Sequence, residues 1–319
     1  MPTFGMVDDA GHGRHNGHTR RPRSIRAAGA GECFVRLPTF VVIGAAKAGT
    51  TSIQEYLEEH PGIFMPKLKP NYFAYAGADE QPGYAIKTLE DYRALYEGAT
   101  DEAGVGDVSE AALGSPHAAE RMHELIPDAQ IVVVLRNPVE RAFSGYMMQV
   151  RGGRESRGPL EAFKRDTVFV EGGFYYERLK RFTDRFAAER IQVHLFEDFS
   201  RDTLGVMQAM FGFVGADPTF VPPSINVKFN TGFMPKSQRL NNVLINPRVR
   251  ATVKSLVPRG VRPLVRRLAR LNYHVPPSLP PEVRAELTEL YREDVERLQE
   301  LIGRDLSHWT RQRAVTAAT

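Results

Sequence analysis

The segment from Phe40 to Ser52 combines a β-branched run, two glycines and a lysine, and it constrains the fold more than any other stretch. The apolar residues 40–43 predict a buried strand of a parallel sheet, which ends at Gly44. Small residues follow, so backbone N–H groups can approach an anion closely. Thr51 and Ser52 then begin a helix whose N-terminus carries partial positive charge. We therefore predict a phosphate-binding loop between a strand and a helix.

The spacing of this loop differs from that of a nucleoside-triphosphate-binding loop. Gly44 and Gly49 enclose four residues, as in that motif, but Thr50 occupies the position that requires lysine. The lysine instead lies inside the loop, as Lys47. This departure argues against a kinase or nucleoside triphosphatase and favours a site that binds a phosphate group without the usual magnesium arrangement.

A second β-branched run, at 131–135, leads directly into Arg136. Asn137 is a favourable N-cap, Pro138 suits the first helical turn, and Ser144 lies about two turns along the predicted helix. An arginine and a hydroxyl group can therefore converge on one anion at the carboxyl end of this strand, where open α/β sheets bind ligands. Two such strand ends indicate a ligand with two separate phosphate-type groups.

Predicted strands and helices alternate along the chain, which is typical of a three-layer α/β sandwich with a central parallel sheet. Further strands are expected at 104–108 and 191–196. Apolar residues at helical spacing predict helices at 51–59, 116–126, 174–187 and 281–302.

These residues resemble those of the sulfotransferases that use 3′-phosphoadenylyl sulfate, in the carbohydrate-type and bacterial branch of that family. The segment from Lys47 to Ser52 resembles the family's loop for the 5′-phosphosulfate, and the segment from Leu135 to Ser144 resembles its 3′-phosphate motif. Shorter stretches agree with the family pattern: His60-Pro61, Pro70-Asn71-Tyr72-Phe73, Gly173-Phe174-Tyr175, Phe196-Glu197-Asp198-Phe199 and the C-terminal segment from Tyr291 to Trp309. The resemblance implies a P-loop-NTPase-like sulfotransferase fold. It also implies transfer of a sulfuryl group, without a metal, to a hydroxyl group of a carbohydrate, lipid or secondary metabolite, with an amine as the less favoured acceptor group.

The resemblance also implies roles for individual residues. Lys47 is expected to stabilise the negative charge that develops on the leaving oxygen. The late segment 230–239 resembles the family's loop over the cofactor. Residues expected to bind the donor and its product, adenosine 3′,5′-bisphosphate, are Lys47, Ala48, Gly49, Thr50, Thr51, Ser52, Arg136, Ser144, Tyr175, Lys236, Ser237 and Arg239.

The general base is the position where the chain departs from the family pattern. The family usually has a glutamate just before the Pro-x-aromatic-Phe stretch, and this chain has Lys69 there. We predict that Asp107 takes its place, with Glu110 and His117 as less favoured candidates. The alternatives are that a partly desolvated, neutral Lys69 is itself the base, or that the acceptor is acidic enough to need none. The departure also leaves open a non-catalytic nucleotide-binding or membrane-associating protein on the same fold.

Composition adds few constraints. A formal net charge of +4 over 319 residues requires no nucleic-acid partner, and the single cysteine, Cys33, excludes an internal disulfide and fits a reducing compartment. No apolar run approaches the ~20 residues that span a membrane, so we expect a cytoplasmic enzyme. The predicted organisation is a disordered tail at 1–37, a sulfotransferase domain at 38–310 and a C-terminal tail at 311–319.

The segment 218–281 contains no Asp or Glu but many Lys and Arg residues. Apolar spacing in its second half predicts an amphipathic helix with arginines largely on its other faces. Such a segment is suited to an anionic acceptor or a lipid surface. The alternative is a solvated basic face balanced by acids elsewhere, such as Glu286 and Glu289. The sequence does not indicate an oligomeric state.

Overall fold

The two β-branched runs form neighbouring strands of a parallel sheet in the computed structural model, which describes residues 35–77, 85–165, 168–227, 234–237, 273–274 and 278–311. The strands of this sheet are β1 (Phe40–Gly44), β2 (Ile63–Phe64), β3 (Gly104–Val108), β4 (Gln130–Leu135) and β5 (Ile191–Leu195). Their order is β2-β3-β1-β4-β5, and every pairing is parallel. Strands β1 and β3 are buried along their whole length, which explains why β1 is a continuous apolar run rather than an alternating one.

Helices flank the sheet and supply the other layers of the core. The helices are α1 (Thr50–Glu58), α2 (Tyr72–Tyr75), α3 (Leu89–Ala94), α4 (Ala118–Leu125), α5 (Pro138–Arg151), α6 (Pro159–Arg165), α7 (Val168–Glu171), α8 (Tyr176–Thr183), α9 (Phe196–Arg201), α10 (Thr203–Phe213), α11 (Pro281–Ile302) and α12 (Ser307–Thr310). Two further short strands, β6 (Met234–Pro235) and β7 (Tyr273–His274), form an antiparallel pair. The predicted α/β fold with a central parallel sheet is confirmed.

Predicted element bounds agree with the structure at 104–108 and 281–302. The helix predicted at 174–187 is shorter, because α8 spans only Tyr176–Thr183. Phe186 is buried beyond the end of α8, so the aromatic spacing continues past the helix. Core packing rather than helix length therefore produced that part of the sequence pattern.

The strand order brings the carboxyl ends of β3, β1 and β4 side by side. Strands β3 and β2 lie on one side of β1 in the sheet, and β4 and β5 lie on the other side. The crevice between the ends of β1 and β4 is therefore a topological switch point, where open α/β sheets bind ligands. The phosphate loop follows β1, Arg136 follows β4 and Glu110 follows β3, so three distant segments meet at one edge.

Within the part of the chain that the structure describes, no helix has the length and apolar character needed to cross a membrane. Most of the two predicted tails, Arg239 and the predicted amphipathic helix of the acid-free segment lie outside the described residues. The predicted domain boundaries stay predictions.

Candidate functional site

The loop after β1 has the backbone geometry of an anion cradle. Lys47 and Gly49 have positive φ angles of 76° and 89°, which turn the chain sharply into α1. The first turn of α1 contains no acidic residue, and no side chain caps it. The first N–H groups of a helix have no intrahelical partner and are therefore available to bind an anion. The amide of Ala48 is the exception among the predicted donors, because it donates to Ala45 O at 3.1 Å.

The three hydroxyl groups in the first turn of α1 differ in their hydrogen bonding. Thr50 is buried, and its hydroxyl donates to Glu110. Thr51 and Ser52 are half-buried, and their hydroxyls make no hydrogen bond within the described part of the chain. Thr51 and Ser52 are therefore the hydroxyls that remain available to an anion at this helix terminus.

Positive charge is concentrated around Lys47. Its Nζ lies 3.3 Å from Met148 Sδ. Burial is the main cause that lowers the pKa of Lys47, and the charge of Arg151 is the next. The charge of Glu110 opposes this fall in the pKa, and the smaller effects of Arg136 and Arg141 add to it. Cations held this close repel one another, so a bound anion would stabilise the group and favour the charged form of Lys47.

Helix α5 begins as the sequence predicts. Asn137 Oδ1 accepts hydrogen bonds from the amides of Val139 and Glu140 at 2.9 and 3.2 Å. Pro138 occupies the first position of the helix. Ser144 is half-buried about two turns further along, and its hydroxyl has no hydrogen-bond partner among the residues described. It is free to bind a ligand.

Arg136 joins the two predicted motifs. Its Nη1 donates to Lys47 O at 3.0 Å, and its guanidinium lies 4.7 Å from the centre of the Phe196 ring. The Tyr175 hydroxyl donates to Arg136 O at 2.9 Å. Tyr175 is fully buried, and burial raises its pKa to about 12. The structure therefore does not support the predicted contact of Tyr175 with a cofactor; this side chain holds the turn that carries Arg136.

Glu110 reaches from the end of β3 to the start of α1. Its Oε2 accepts hydrogen bonds from the Thr50 hydroxyl and from Lys69 Nζ, the latter at 2.6 Å. Burial raises the pKa of Glu110, but the charge and hydrogen bond of Lys69, the bond from Thr50 and the charge of Lys47 hold it below its usual value. Oε1 has no hydrogen-bond partner in the described part of the chain. Glu110 is therefore an ionised carboxylate with one oxygen available.

Asp107 lies inside the core. Its side chain is fully buried and accepts hydrogen bonds from Tyr92 Oη at 2.7 Å and Ser109 Oγ at 2.6 Å. Burial raises its pKa to about 6, although the bonds from Ser109 and Tyr92 oppose the rise. Both carboxyl oxygens are occupied, so the geometry does not favour the predicted role of Asp107 as the base. Its hydrogen bonds instead connect β3 to α3.

The Asp107→Asn variant is expected to gain stability relative to the wild type as pH rises. Asp107 has a folded-state pKa of about 6 against a usual 3.8, so its contribution is complete below pH 4 and is lost as pH rises through 6. Asparagine stays neutral, and the difference in unfolding free energy should grow by about 2 kcal/mol between pH 4 and 7. Urea unfolding at both pH values measures it. If the variant and the wild type differ in unfolding free energy by the same amount at pH 4 and pH 7, the pKa of Asp107 is not raised.

A cavity of about 360 Å³ opens beside the loop, within the size range of small-molecule sites. Its lining includes Ala45, Ala46, Glu110, Arg141, Gly172 and Arg178. Glu110 is thus shared between the start of α1 and a space that a second molecule can enter. This arrangement fits an acceptor pocket next to an anion site.

Arg136 lines a second, larger cavity of about 880 Å³. Arg284, Glu197 and Trp309 also line it. The buried atoms Glu197 Oε2 and Trp309 Nε1 have no hydrogen-bond partner among the described residues. Unpaired buried polar atoms are uncommon, and both of these atoms belong to residues that line the same cavity as Arg136.

A short part of the predicted late loop is described. Strand β6 lies beside α5, the helix that carries Ser144. Lys236 and Ser237 follow β6 and are exposed. Arg239 lies outside the described residues, so its predicted role stays a prediction.

Three residues that line the 360 Å³ cavity were ranked low or missed in the sequence-based predictions. Glu110 was ranked below Asp107, although its place just after a strand was a usable signal. Arg141 belongs to the Arg136 motif, but its spacing alone does not show that it faces a cavity. Arg178 follows no motif. His117, the other candidate base, is exposed at the start of α4 and lines neither cavity.

Known proteins that are similar to this chain include several sulfotransferases. The model of the sulfotransferase family matches residues 113–219, which include Arg136 and Ser144. The membrane-associated sulfotransferase kil1 of Dictyostelium discoideum is 32% identical over 124 residues, 39% of this chain and 25% of that protein. Human heparan sulfate glucosamine 3-O-sulfotransferase 6 is 29% identical over 111 residues, 35% of this chain and 30% of that protein. The chain thus spans about a quarter to a third of the length of these curated relatives.

Among solved structures, a bacterial sulfotransferase is similar to most of the chain. The crystal structure of a sulfotransferase from Alicyclobacillus acidocaldarius is 30% identical and superposes with a TM-score of 0.66. The match covers 87% of this chain and 100% of that one. Such a match, together with the loop after β1 and the arginine turn after β4, shows that the chain belongs to the sulfotransferase family, a family of enzymes.

Proposed function

We propose that this chain transfers a sulfuryl group from 3′-phosphoadenylyl sulfate to a hydroxyl group of an acceptor. The observation that carries the proposal is the position of Glu110, a residue that lines the 360 Å³ cavity and whose carboxylate accepts a hydrogen bond from Thr50 at the start of α1. An anion site and an acceptor pocket therefore share one candidate base. The heparan sulfate relative supports a carbohydrate acceptor, with a lipid or another small molecule as alternatives.

The residues at the two strand ends fit a donor with two phosphate groups. We assign the 5′-phosphosulfate to the open amides of α1, Lys47 and the hydroxyls of Thr51 and Ser52. Arg136 and Ser144 suit the 3′-phosphate, and we assign Lys236 and Ser237, which follow the strand beside α5, to the same group. Guanidinium, ammonium and hydroxyl donors are the groups that bind phosphate oxygens in proteins.

Lys47 supplies the charge needed at the leaving group. The donor provides the sulfuryl group, and an anionic phosphate leaves when the sulfur–oxygen bond breaks. Lys47 and the start of α1 stabilise the negative charge that builds on that oxygen, as preorganised donors do in an oxyanion hole. Their contribution is larger in the transition state than in the ground state, so it raises turnover.

Glu110 is the proposed general base. The acceptor hydroxyl gives its proton to Oε1 while its oxygen forms the new bond to sulfur, and the bonding electrons of the broken bond stay with the phosphate. Lys69 Nζ donates to Glu110 Oε2 at 2.6 Å and to Thr50 Oγ1 at 2.9 Å. An ammonium group held in this way has no lone pair for a proton, so Lys69 is better suited to orient Glu110 than to act as the base. A usable carboxylate also favours an active enzyme over a non-catalytic nucleotide-binding protein.

Adenosine 3′,5′-bisphosphate is expected to raise the melting temperature far more than ATP does, in the absence of Mg²⁺. A ligand at 100 times its dissociation constant stabilises a protein by about 2.7 kcal/mol, and ATP lacks the 3′-phosphate that Arg136 would bind. Differential scanning fluorimetry measures the shift. Equal stabilisation by ATP, or a strict need for Mg²⁺, would indicate a kinase-like protein instead. Transfer from a radiolabelled donor to a panel of acceptors then tests activity directly.

A further inference from the structure

Two arginines line the 360 Å³ cavity beside Glu110. Arg141 comes from the first part of α5, and Arg178 comes from α8. Glu110 is the one acidic residue in the lining among the described residues, and its Oε2 is paired with Lys69. The cavity wall therefore carries more positive than negative charge.

Neither arginine has a carboxylate partner in the described part of the chain. Arg141 donates to main-chain carbonyls, from Nη1 to Phe169 O at 2.9 Å and from Nε to Ala46 O at 3.4 Å. Arg178 has neither a hydrogen bond nor an ion pair within those residues, although it is half-buried. Burial first, and then the charge of Arg141, lowers the pKa of Arg178. A partly buried cation without a partner is destabilising, so a bound anion would stabilise it.

Two acids interact with the charge of Arg178, but neither is bonded to it. Asp294 uses its carboxylate to accept hydrogen bonds from the amides of Tyr175 and Tyr176 at 2.7 and 3.1 Å. Glu171 is exposed and acts on Arg178 only through its charge at a distance. The hydrogen-bonding capacity of the Arg178 guanidinium therefore remains for a ligand.

Two glycines leave room for these guanidinium groups. A Cβ atom at Gly172 would lie 2.2 Å from Arg141 Cζ, and one at Gly114 would lie 3.2 Å from Arg178 Nη1. Both arginines therefore lie directly against main chain rather than extending into solvent. Side chains held in this way form a fixed part of the cavity wall.

We propose that the cavity binds an acceptor that carries an oxyanion, a carboxylate or a phosphate or sulfate ester, and that Arg178 and Arg141 bind this group. The inference rests on the proposed sulfotransferase function and names the class of its acceptor. A guanidinium offers paired, planar donors that match the oxygens of such groups. An oxyanion bound at the arginines would hold the rest of the acceptor in the same cavity as Glu110, where its hydroxyl can lose a proton.

Matched acceptors test the proposal. Methyl glucuronide is compared with methyl glucoside, and glucose 6-phosphate with glucose, using a labelled donor. We expect the charged member to have the higher kcat/KM, and the pair with the larger effect distinguishes a carboxylate from a phosphate. Arg178→Met should reduce this preference by about 10- to 100-fold, the value of a hydrogen bond to a charged group, whereas Arg178→Lys should keep part of it. Arg185→Met removes an exposed arginine just beyond α8 that does not line the cavity, and should leave the preference unchanged.

Several results would overturn the proposal. One is a preference of the wild type for the neutral acceptors. Another is an unchanged preference for the charged acceptors in both Arg178 variants. The third is the absence of product from every charged acceptor although adenosine 3′,5′-bisphosphate binds. Failure of the proposed function itself looks different, because the bisphosphate then fails to raise the melting temperature of the wild type. The same melting response shows whether each variant is folded, and Arg178→Lys serves if Arg178→Met is not.

Discussion

The Glu110→Gln variant is expected to lose about two to four orders of magnitude in turnover, the usual share of general-base catalysis, while still binding adenosine 3′,5′-bisphosphate. Glutamine keeps the length of the side chain, and its amide oxygen can accept the bonds from Thr50 and Lys69. Its amide nitrogen then replaces Oε1 and has no lone pair to take a proton. Steady-state rates on a working acceptor measure turnover, and thermal shift measures binding of the bisphosphate.

Asp107→Asn is the matched control, because it makes the same change of carboxylate to amide three residues away. Its turnover should stay within a few-fold of the wild type, since Asp107 is fully buried with both oxygens occupied. The opposite ranking would return the role of base to Asp107. Normal turnover in both variants would favour an acceptor acidic enough to need no base.

Lys69→Met separates orientation from proton transfer. Lys69 is the largest of the influences that lower the pKa of Glu110, so its removal should raise that pKa. The acid limb of the kcat/KM profile should then move to higher pH, because the carboxylate becomes protonated earlier as pH falls. A neutral Lys69 base would instead make this variant as inactive as Glu110→Gln.

The central fold could be predicted because its signals are local. Strands that are buried on both faces need continuous apolar residues, so the runs at 40–43 and 131–135 could be recognised without their neighbours. The cap at Asn137 and the glycine at Gly49 report backbone geometry that depends on a few adjacent residues. Once the order of the strands is known, the ligand site is expected at the switch point between the ends of β1 and β4. These features positioned Lys47 and Arg136 correctly at one edge.

The base could not be predicted from local signals. Asp107 and Glu110 are both acids near the end of one strand, and what separates them is their surroundings. Tyr92 on α3 donates a hydrogen bond to Asp107, whereas Thr50 on α1 donates one to Glu110. Similarly, Arg178 lies on a helix whose apolar stripe reports only the core, and its cavity is formed by residues from other segments. Such side-chain environments depend on contacts between distant parts of the chain.

The Lys47→Ala variant is expected to lower turnover by about 100- to 1,000-fold, the usual effect of removing one donor from a preorganised anion site. Arg136→Ala should instead mainly weaken binding of adenosine 3′,5′-bisphosphate. The difference follows from the ligand, because charge develops beside Lys47 only as the sulfur–oxygen bond breaks, whereas the 3′-phosphate near Arg136 is charged throughout. Steady-state kinetics and thermal shift on both variants separate the two effects.

If Lys47 and Arg136 have these separate roles, the two variants must behave differently. Arg136 Nη1 donates to Lys47 O at 3.0 Å, so Arg136→Ala also releases the loop that carries Lys47 and should lower turnover to a smaller degree. Lys47→Ala removes only a side chain whose Nζ lies near Met148 Sδ, and the backbone cradle should survive. Nearly normal turnover in Lys47→Ala would show that the open amides of α1 carry the leaving-group charge without the lysine. A loss of bisphosphate binding equal to that in Arg136→Ala would instead make Lys47 a residue for ground-state binding.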